Sequence, residues 1–257
     1  MILNQVVVQA RMGSSRLPGK VLLPLNGKPV LEYVVCRAAA AAKVGRVVVA
    51  TSDHSEDDAI EKWCFEHKVD CVRGSSDDVL ARFLLAQELF PCENIVRITA
   101  DCPLIDPGII DSVLALHHET GADYSSNVVP PTFPIGFDTE VIKTSVLKDV
   151  AKIAELKSHR EHVTLYVREN VQKFKIVNLD SGLPDQGYRL TLDRPEDYEA
   201  LKAVFALLGT APFLASFYQI IALLEVHPEI VAINSSIDRF EGLKKTLKSE
   251  HRKMPWP

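Results

Sequence analysis

Through the first 120 residues of this chain, short β-branched runs alternate with longer stretches of helical periodicity. The runs "NQVVVQA" (4–10), "GRVVVATS" (45–52), "VDCVRG" (69–74) and "ENIVRITADCP" (93–103) read as strands. The stretches between them, "KPVLEYVVCRAAAAA", "SEDDAIEKWCFEHK" and "SDDVLARFLLAQELF", read as helices, and "PGIIDSVLALHHETG" as a fourth closed by Gly121. The acidic first turn of "SEDDAIEKW" suits the positive end of a helix dipole. Continuous apolar strands separated by amphipathic helices are the pattern of parallel βαβ units covered on both faces. The expectation is an α/β fold, a mostly parallel sheet with helices on both sides.

Residues 123–144, "DYSSNVVPPTFPIGFDTEVIKT", break this pattern with prolines, aromatics and turn formers. They predict antiparallel strands, a small lobe inserted in the second half. "KFKIVNLD" and "YRLTL" then read as strands, the second returning to the main sheet before the helix "PEDYEALKAVFALL". The tail from about 211 to 257 reads as helical, ending in a basic, solvated segment. No repeat or flexible linker divides the chain, so one domain spans 1–257. Within it, 1–125 form the βαβ half, 126–190 the inserted lobe, and 191–257 the sheet return and C-terminal helices.

A 257-residue chain, 47% hydrophobic, is long enough for a large core. Its formal net charge of −5 offers no general attraction to nucleic acid or to an anionic membrane. Five cysteines, an odd count in apolar or strand-like contexts, fit reduced thiols better than a disulfide framework. No window reaches the ~18 apolar residues of a membrane span, and "MILNQVVVQA" reads as a first strand rather than a leader. A cytoplasmic protein is expected.

The loop "QARMGSSRLPGK" (9–20) follows the first strand. A Walker A loop needs four residues between its glycines and a hydroxyl residue after the lysine. Here five residues separate Gly13 from Gly19, Val21 follows Lys20, and Pro18 removes an amide. The dinucleotide fingerprint G-x-G-x-x-G is also missing. What remains is three cations, Arg11, Arg16 and Lys20, around a backbone at 12–15 (Met12, Gly13, Ser14) that can bend about a triphosphate. Ligands of open parallel sheets bind at the carboxyl ends of the strands. Polar clusters fall there four times: this loop, Thr51–Ser52–Asp53, Arg73 with its following serines, and Thr99–Asp101.

With those blocks in view, "QARMGSSRLPGKVLLPLNGKPVLEYVV" resembles the opening signature of the cytidylyltransferases that make CMP-activated sugar acids, of the form A-R-x-x-S-x-R-L-P-x-K. "ATSDHSEDDAI", "VRGSSDDVLARF", "RITADCPLID" and "LTLDRPEDY" resemble successive blocks of the same superfamily. "FPIGFDTEV", "REHVTLYVREN" and "HPEIVAINSSIDRFEG" are similar to its SpsF-like branch, associated with spore-coat polysaccharide. The resemblance implies a Rossmann-like nucleotidyltransferase fold, usually dimeric, using CTP and Mg²⁺ to transfer CMP to a sugar acid or related acceptor. By the same resemblance, Arg11, Ser14, Arg16 and Lys20 match the triphosphate loop, and Arg11, Lys20 and Asp101 the catalytic groups. Thr51, Ser52 and Asp53 match the wall of the nucleotide pocket, and Arg73 a basic residue at its base-binding edge. A pyrimidine suits a short pocket between the loops at 11–20, Thr51 and Arg73. Asp101 matches the metal aspartate, and Asp193 of "DRPED" is the second Mg²⁺ ligand, unless it only caps the following helix.

Arg160, His162, Arg168 and Tyr188 are acceptor-side candidates; for the first three the alternative is an exposed helix, "SHREHVTLYVREN". Two departures bear on the acceptor. Ala100 and Cys102 flank Asp101 where enzymes for 3-deoxy-octulosonic acid carry Gly-Asp-Glu-Pro, and "TLDRPEDY" matches the sialic acid enzymes' acidic block only loosely. Two rival readings remain. One is a nucleotidyltransferase for a phosphorylated sugar or polyol, whose usual loop L-A-A-G-x-G-T-R is absent here. The other is a non-catalytic nucleotide-binding module.

Overall fold

The computed structural model describes residues 2–183, 187–209 and 212–255. The first residue of the N-terminal strand and parts of the predicted helical tail (211, 256 and 257) lie outside the described residues.

The strands are β1 (Ile2–Gln9), β2 (Pro24–Leu25), β3 (Lys28–Pro29), β4 (Arg46–Ser52), β5 (Asp70–Gly74), β6 (Cys92–Thr99), β7 (Tyr124–Ser126), β8 (Glu140–Lys143) and β9 (Ile176–Asn178). In the first half the helices are α1 (Val30–Ala39), α2 (Asp58–Glu66), α3 (Val79–Leu89) and α4 (Pro107–Thr120). The middle holds α5 (Thr144–Ile153), α6 (Lys157–Glu161) and α7 (Leu165–Glu169). The chain ends with α8 (Pro195–Leu208), α9 (Phe217–Glu225), α10 (Pro228–Ala232) and α11 (Glu241–Ser249).

Seven strands form one sheet in the order β5-β4-β1-β6-β8-β7-β9. Strands β5, β4, β1 and β6 pair in parallel, as their continuous apolar runs predict. Because side chains alternate across a strand, β1 buries Val6 and Val8 on one face and Val7 on the other. The first face packs on α1, α4, α8 and α9 through residues such as Tyr33, Ile110 and Phe205. The second packs on α3 and α5 through Phe83 and Leu147. Fully burying each such side chain stabilises the fold by about 1.5–3 kcal/mol. The expected antiparallel pairing of the second half is present, with β8 antiparallel to both β6 and β7. It extends the main sheet, and a separate antiparallel pair, β2–β3, lies in the first half.

Helix signals in the sequence operate as local chemistry predicts. Asp78 and Asp106 cap α3 and α4 by accepting from the amides of Ala81 and Ile109, and Gly121 closes α4 at φ 63°. One expectation fails, and so does one of the alternatives. "YRLTL" forms no strand; it is an extended segment with one bridge, Arg189 to Ile135. The stretch "SHREHVTLYVREN" is two short helices, α6 and α7, broken at His162–Thr164 where Val163 takes φ 50°, and both carry buried residues. Arg37 ties the sheet to the C-terminal helices from inside the core. Its guanidinium donates to the carbonyls of Ile105 (2.6 Å), Pro212 (2.7 Å) and Ala215 (2.7 Å), and burial lowers its pKa to about 10.

Candidate active site at the carboxyl edge of the sheet

The parallel strands open on one edge, where a cleft of about 430 Å³ is lined by Arg11, Ser14, Arg16, Lys20, Asp101 and Asp193, with α6 and α11 across from them. At its centre the buried Lys20 Nζ donates to Asp101 Oδ2 (2.6 Å) and Asp193 Oδ1 (2.7 Å). Arg16 reaches the same Asp193 oxygen at 2.8 Å, and Arg189 stands 3.4 Å from the other. Burial works to lower the Lys20 pKa, but the charges of Asp101 and Asp193 outweigh it and the net shift is upward. Burial likewise works to raise the Asp193 pKa, yet Lys20 and Arg16 hold it down to about 2. Lys20 and Asp193 are therefore both charged at neutral pH.

Local folding explains how these groups converge. Gly19 takes φ 71°, a left-handed turn that favours glycine, and starts the 3₁₀ turn carrying Lys20. The amides of Ser14 and Gly19 both donate to the Met12 carbonyl, at 2.8 and 2.9 Å, so the loop closes on itself. It therefore presents side chains, rather than these two amides, to the cleft. Asp57, fully buried, fixes the loop from behind by accepting from the amides of Met12 (2.7 Å) and Ser52 (3.0 Å). Burial pushes the Asp57 carboxyl up, but these hydrogen bonds prevail and its pKa is lowered.

Asp193 arrives on the extended segment. The amides of Leu190 and Leu192 donate to Ile135 and Asp101 carbonyls, each at 2.8 Å. In "DRPED" the capping task falls to Asp197, which accepts from the amides of Asp193 (2.9 Å) and Arg194 (3.0 Å) and pairs with the buried Arg189 (2.8 Å). The Asp193 carboxylate is thereby left to face Lys20.

The other sequence candidates divide. His162 lines the cleft, its Nε2 3.2 Å from Thr246 Oγ1, and burial lowers its pKa to about 4, leaving it neutral. Met12 and Gly13 shape the loop, and a Cβ on Gly13 would stand 2.5 Å from Glu56 Oε1. Thr51 and Ser52 are buried behind it, while Asp53 is exposed. Arg73 does not face the cleft. Its guanidinium is turned to Asp58 (2.7 Å), Glu61 (2.8 Å) and the carbonyls of Ser52 and His54. The short base pocket expected between Thr51 and Arg73 therefore does not form part of this cleft. Arg160 is held by Asp78 and the Ala151 carbonyl, and the Arg168 charge acts on the buried Glu140. Tyr188 packs against the core. None of these last three lines the cleft.

Several cleft residues carried no clear sequence signal: Gln9, Arg82, Lys157, Glu161 and Lys245. Glu161 stands 3.7 Å from Arg11 and accepts from Thr246 Oγ1 at 2.9 Å. Cys102 beside Asp101 is buried, and that burial raises its thiol pKa well above the usual value, so it is no nucleophile.

Two carboxylates sharing one ammonium form an all-oxygen, hard-donor pair that fits a divalent cation whose remaining ligands are phosphate oxygens and water. Among the described residues no cluster of three or more His, Cys, Asp or Glu gathers as a self-sufficient metal cage.

A parallel sheet with this charged cleft at its carboxyl edge is a nucleotidyltransferase architecture, and solved structures agree. The chain is similar to CMP:2-keto-3-deoxy-manno-octonic acid synthetase complexed with CTP, with TM-score 0.62, 19% identity, and 80% of this chain and 99% of that one covered. It is similar to a cytidylyltransferase from Leptospira borgpetersenii serovar Hardjo-bovis (strain JB197), with TM-score 0.86, 34% identity, and 93% and 100% covered. The spore coat polysaccharide biosynthesis protein SpsF of Bacillus subtilis (strain 168) is 35% identical over 232 residues, 87% of this chain and 94% of that protein. A family model described as cytidylyltransferase matches residues 5–225. The chain belongs to the cytidylyltransferase family, enzymes that transfer a nucleotidyl group from CTP. Among the described residues no helix is long and apolar enough to cross a membrane.

Proposed function

We infer that this enzyme transfers CMP from CTP to a sugar acid or related hydroxyl-bearing acceptor and releases pyrophosphate. The product would serve assembly of a surface polysaccharide or glycoconjugate. The observation that carries this reading is the Asp101–Lys20–Asp193 cluster set beside Arg11 and Arg16 in one cleft. The name of the Bacillus relative supports the pathway, and sugar-acid acceptors are named for shorter matches such as the 3-deoxy-manno-octulosonate cytidylyltransferase of Mesorhizobium japonicum (strain LMG 29417 / CECT 9101 / MAFF 303099).

The acceptor oxygen attacks the α-phosphorus in line, the bond to the β-phosphate breaks, and the hydroxyl proton leaves to solvent. Arg11 and Arg16 bind phosphate oxygens and orient the chain of phosphates, with the Ser14 hydroxyl beside them. Lys20 holds its proton throughout and stabilises charge on the departing pyrophosphate, an electrostatic effect worth about 3–4 kcal/mol when pre-positioned. Asp101 and Asp193 would hold Mg²⁺, which when bound lowers the repulsion between acceptor oxygen and α-phosphate. His162 lies on the acceptor side; Arg160, Arg168 and Tyr188 act there only through the elements they brace.

The division into a nucleotide-binding half (1–125), an acceptor or dimerisation lobe (126–190) and a C-terminal part (191–257) belongs to the same reading, as do a homodimer and a cytoplasmic location. Its five free cysteines support a reducing compartment. The test is a pyrophosphate-release screen with CTP against sugar acids and polyol phosphates. Release that requires a sugar acid is expected, and release with polyol phosphates alone would transfer the reading to a phosphorylated acceptor.

A further inference from the structure

Helix α11 begins beyond residue 225, where the family match ends, yet it forms a wall of the cleft. Gly242, Lys245, Thr246 and Ser249 follow the i, i+3, i+4, i+7 spacing of one helix face, and all four line the cleft. Leu243 and Leu247 turn instead to Leu165, a small apolar anchor. The helix runs along the rim of the 11–20 loop. Glu241 at its start pairs with Arg194 and stands 3.8 Å from Arg16, and Lys245 Nζ donates to Ser15 Oγ at 3.3 Å.

Like Lys157 and Arg82 of the same cleft, Lys245 forms no ion pair among the described residues, but it is the one of these three whose side chain hydrogen-bonds the 11–20 loop. Lys20 is shared between Asp101 and Asp193, Arg16 is paired with Asp193, and Arg11 stands 3.7 Å from Glu161. A polyphosphate thus meets three loop cations that carboxylates already neutralise in part. Lys245 stands over the same loop with only a neutral hydroxyl as partner, and among the described residues it has no carboxylate partner. Its side chain is exposed, and a lysine's long aliphatic stem suits its ammonium to meet a charged ligand at the loop.

We propose that Lys245 binds the β- or γ-phosphate of CTP opposite Ser15, so that α11 is a clamp on the part of the nucleotide that leaves as pyrophosphate. This rests on the reading of the cleft as the CTP site, and it adds a phosphate contact from a helix beyond the residues 5–225 of the family match. The experiment is calorimetric binding of CTP and of CMP to the full chain, with Mg²⁺ and no acceptor. The chains compared are wild type, Lys245→Ala, Lys245→Glu and Lys248→Ala, the last being an exposed lysine of the same helix that does not line the cleft. A charge-assisted contact from an exposed lysine corresponds to roughly a tenfold change. Lys245→Ala should therefore weaken CTP about tenfold and Lys245→Glu more. CMP affinity, and both affinities of Lys248→Ala, should stay within about twofold. Unchanged CTP binding by Lys245→Ala, or equal weakening of CTP and CMP, overturns the clamp. ATP measured on the wild type reads the nucleotide assignment separately: ATP bound as tightly as CTP contradicts the cytidylyl reading, while the triphosphate-to-monophosphate ratio still decides the role of Lys245.

Discussion

Lys20 is the residue on which the site's charges converge, since one buried ammonium bridges two carboxylates, Arg16 adds a second positive charge at Asp193, and Arg11 lines the same cleft. Replacing Lys20 with Ala should lower turnover by roughly 10²-fold or more, the scale of a lost pre-positioned charge contact. Circular dichroism should show the fold retained, because the side chain is held by carboxylates and takes no part in the sheet. Near-normal turnover in a folded variant would remove Lys20 from the mechanism. The loop signature made Lys20 and Arg16 legible, and strand-end logic located Asp101. Arg73 misled because a cation at a strand end looks the same whether it faces a ligand or, as here, the carboxylates of the next helix turn. Asp57 was invisible for a related reason: in "SEDDAI" it reads as helix-dipole support, and only the fold shows it accepting the Met12 amide.

At the scale of elements, the segment 188–193 shows what pattern reading captures and what it misses. Its alternating "YRLTL" predicts a strand, and the segment is indeed extended and delivers Asp193 beside Asp101, but it makes one bridge where a ladder was expected. At that bridge Gly136 takes φ 112° and the 135–137 turn presses against the segment's backbone. A Cβ there would come within 2.6 Å of the Leu190 carbonyl carbon and oxygen. Gly136→Ala combines a backbone strain of about 1–3 kcal/mol with a displacement of the chain that carries Asp193. Both stability and turnover should fall, by urea unfolding and pyrophosphate release respectively. A variant as stable and active as the wild type would show that the segment positions Asp193 without this contact. The basic tail was legible as helical but read as solvated. The i, i+3, i+4, i+7 face of α11 lines the cleft because Leu243 and Leu247 anchor it on α7, a long-range contact that no local pattern encodes.

Across the whole molecule, parallel βαβ order and two covered faces followed from apolar periodicity, because burial on both faces leaves a strand no polar side, and the carboxyl-edge cleft followed from the polar clusters at the strand ends. The placement of β8 between β6 and β7 did not follow, since short strands pair by tertiary context. Buried titratable groups also predict a response of the whole fold to acid. Burial, aided by the nearby His118, lowers the His117 pKa to about 4, and its ring nitrogens meet Ser125 Oγ (2.8 Å) and Asn94 Oδ1 (3.2 Å). His162 is lowered to about 4 as well, chiefly by burial. The unfolded chain binds protons at these sites near pH 6.5, and the folded chain only near 4. Stability from the neutral rings is thus complete above about pH 6.5 and declines as pH falls toward 4. Urea midpoints measured from pH 7 to 4 should fall, and His117→Asn should make that fall shallower. An equal slope in the variant would mean that His117 does not titrate with unfolding.

Whether this cleft performs cytidylyl transfer is decided by acceptor-dependent pyrophosphate release measured side by side with CTP, UTP, ATP and GTP. With a sugar acid as acceptor, turnover with CTP should stand well above that with the purine nucleotides, with a CMP-sugar product detected by mass. Equal or faster release with ATP or GTP would contradict cytidylyl transfer.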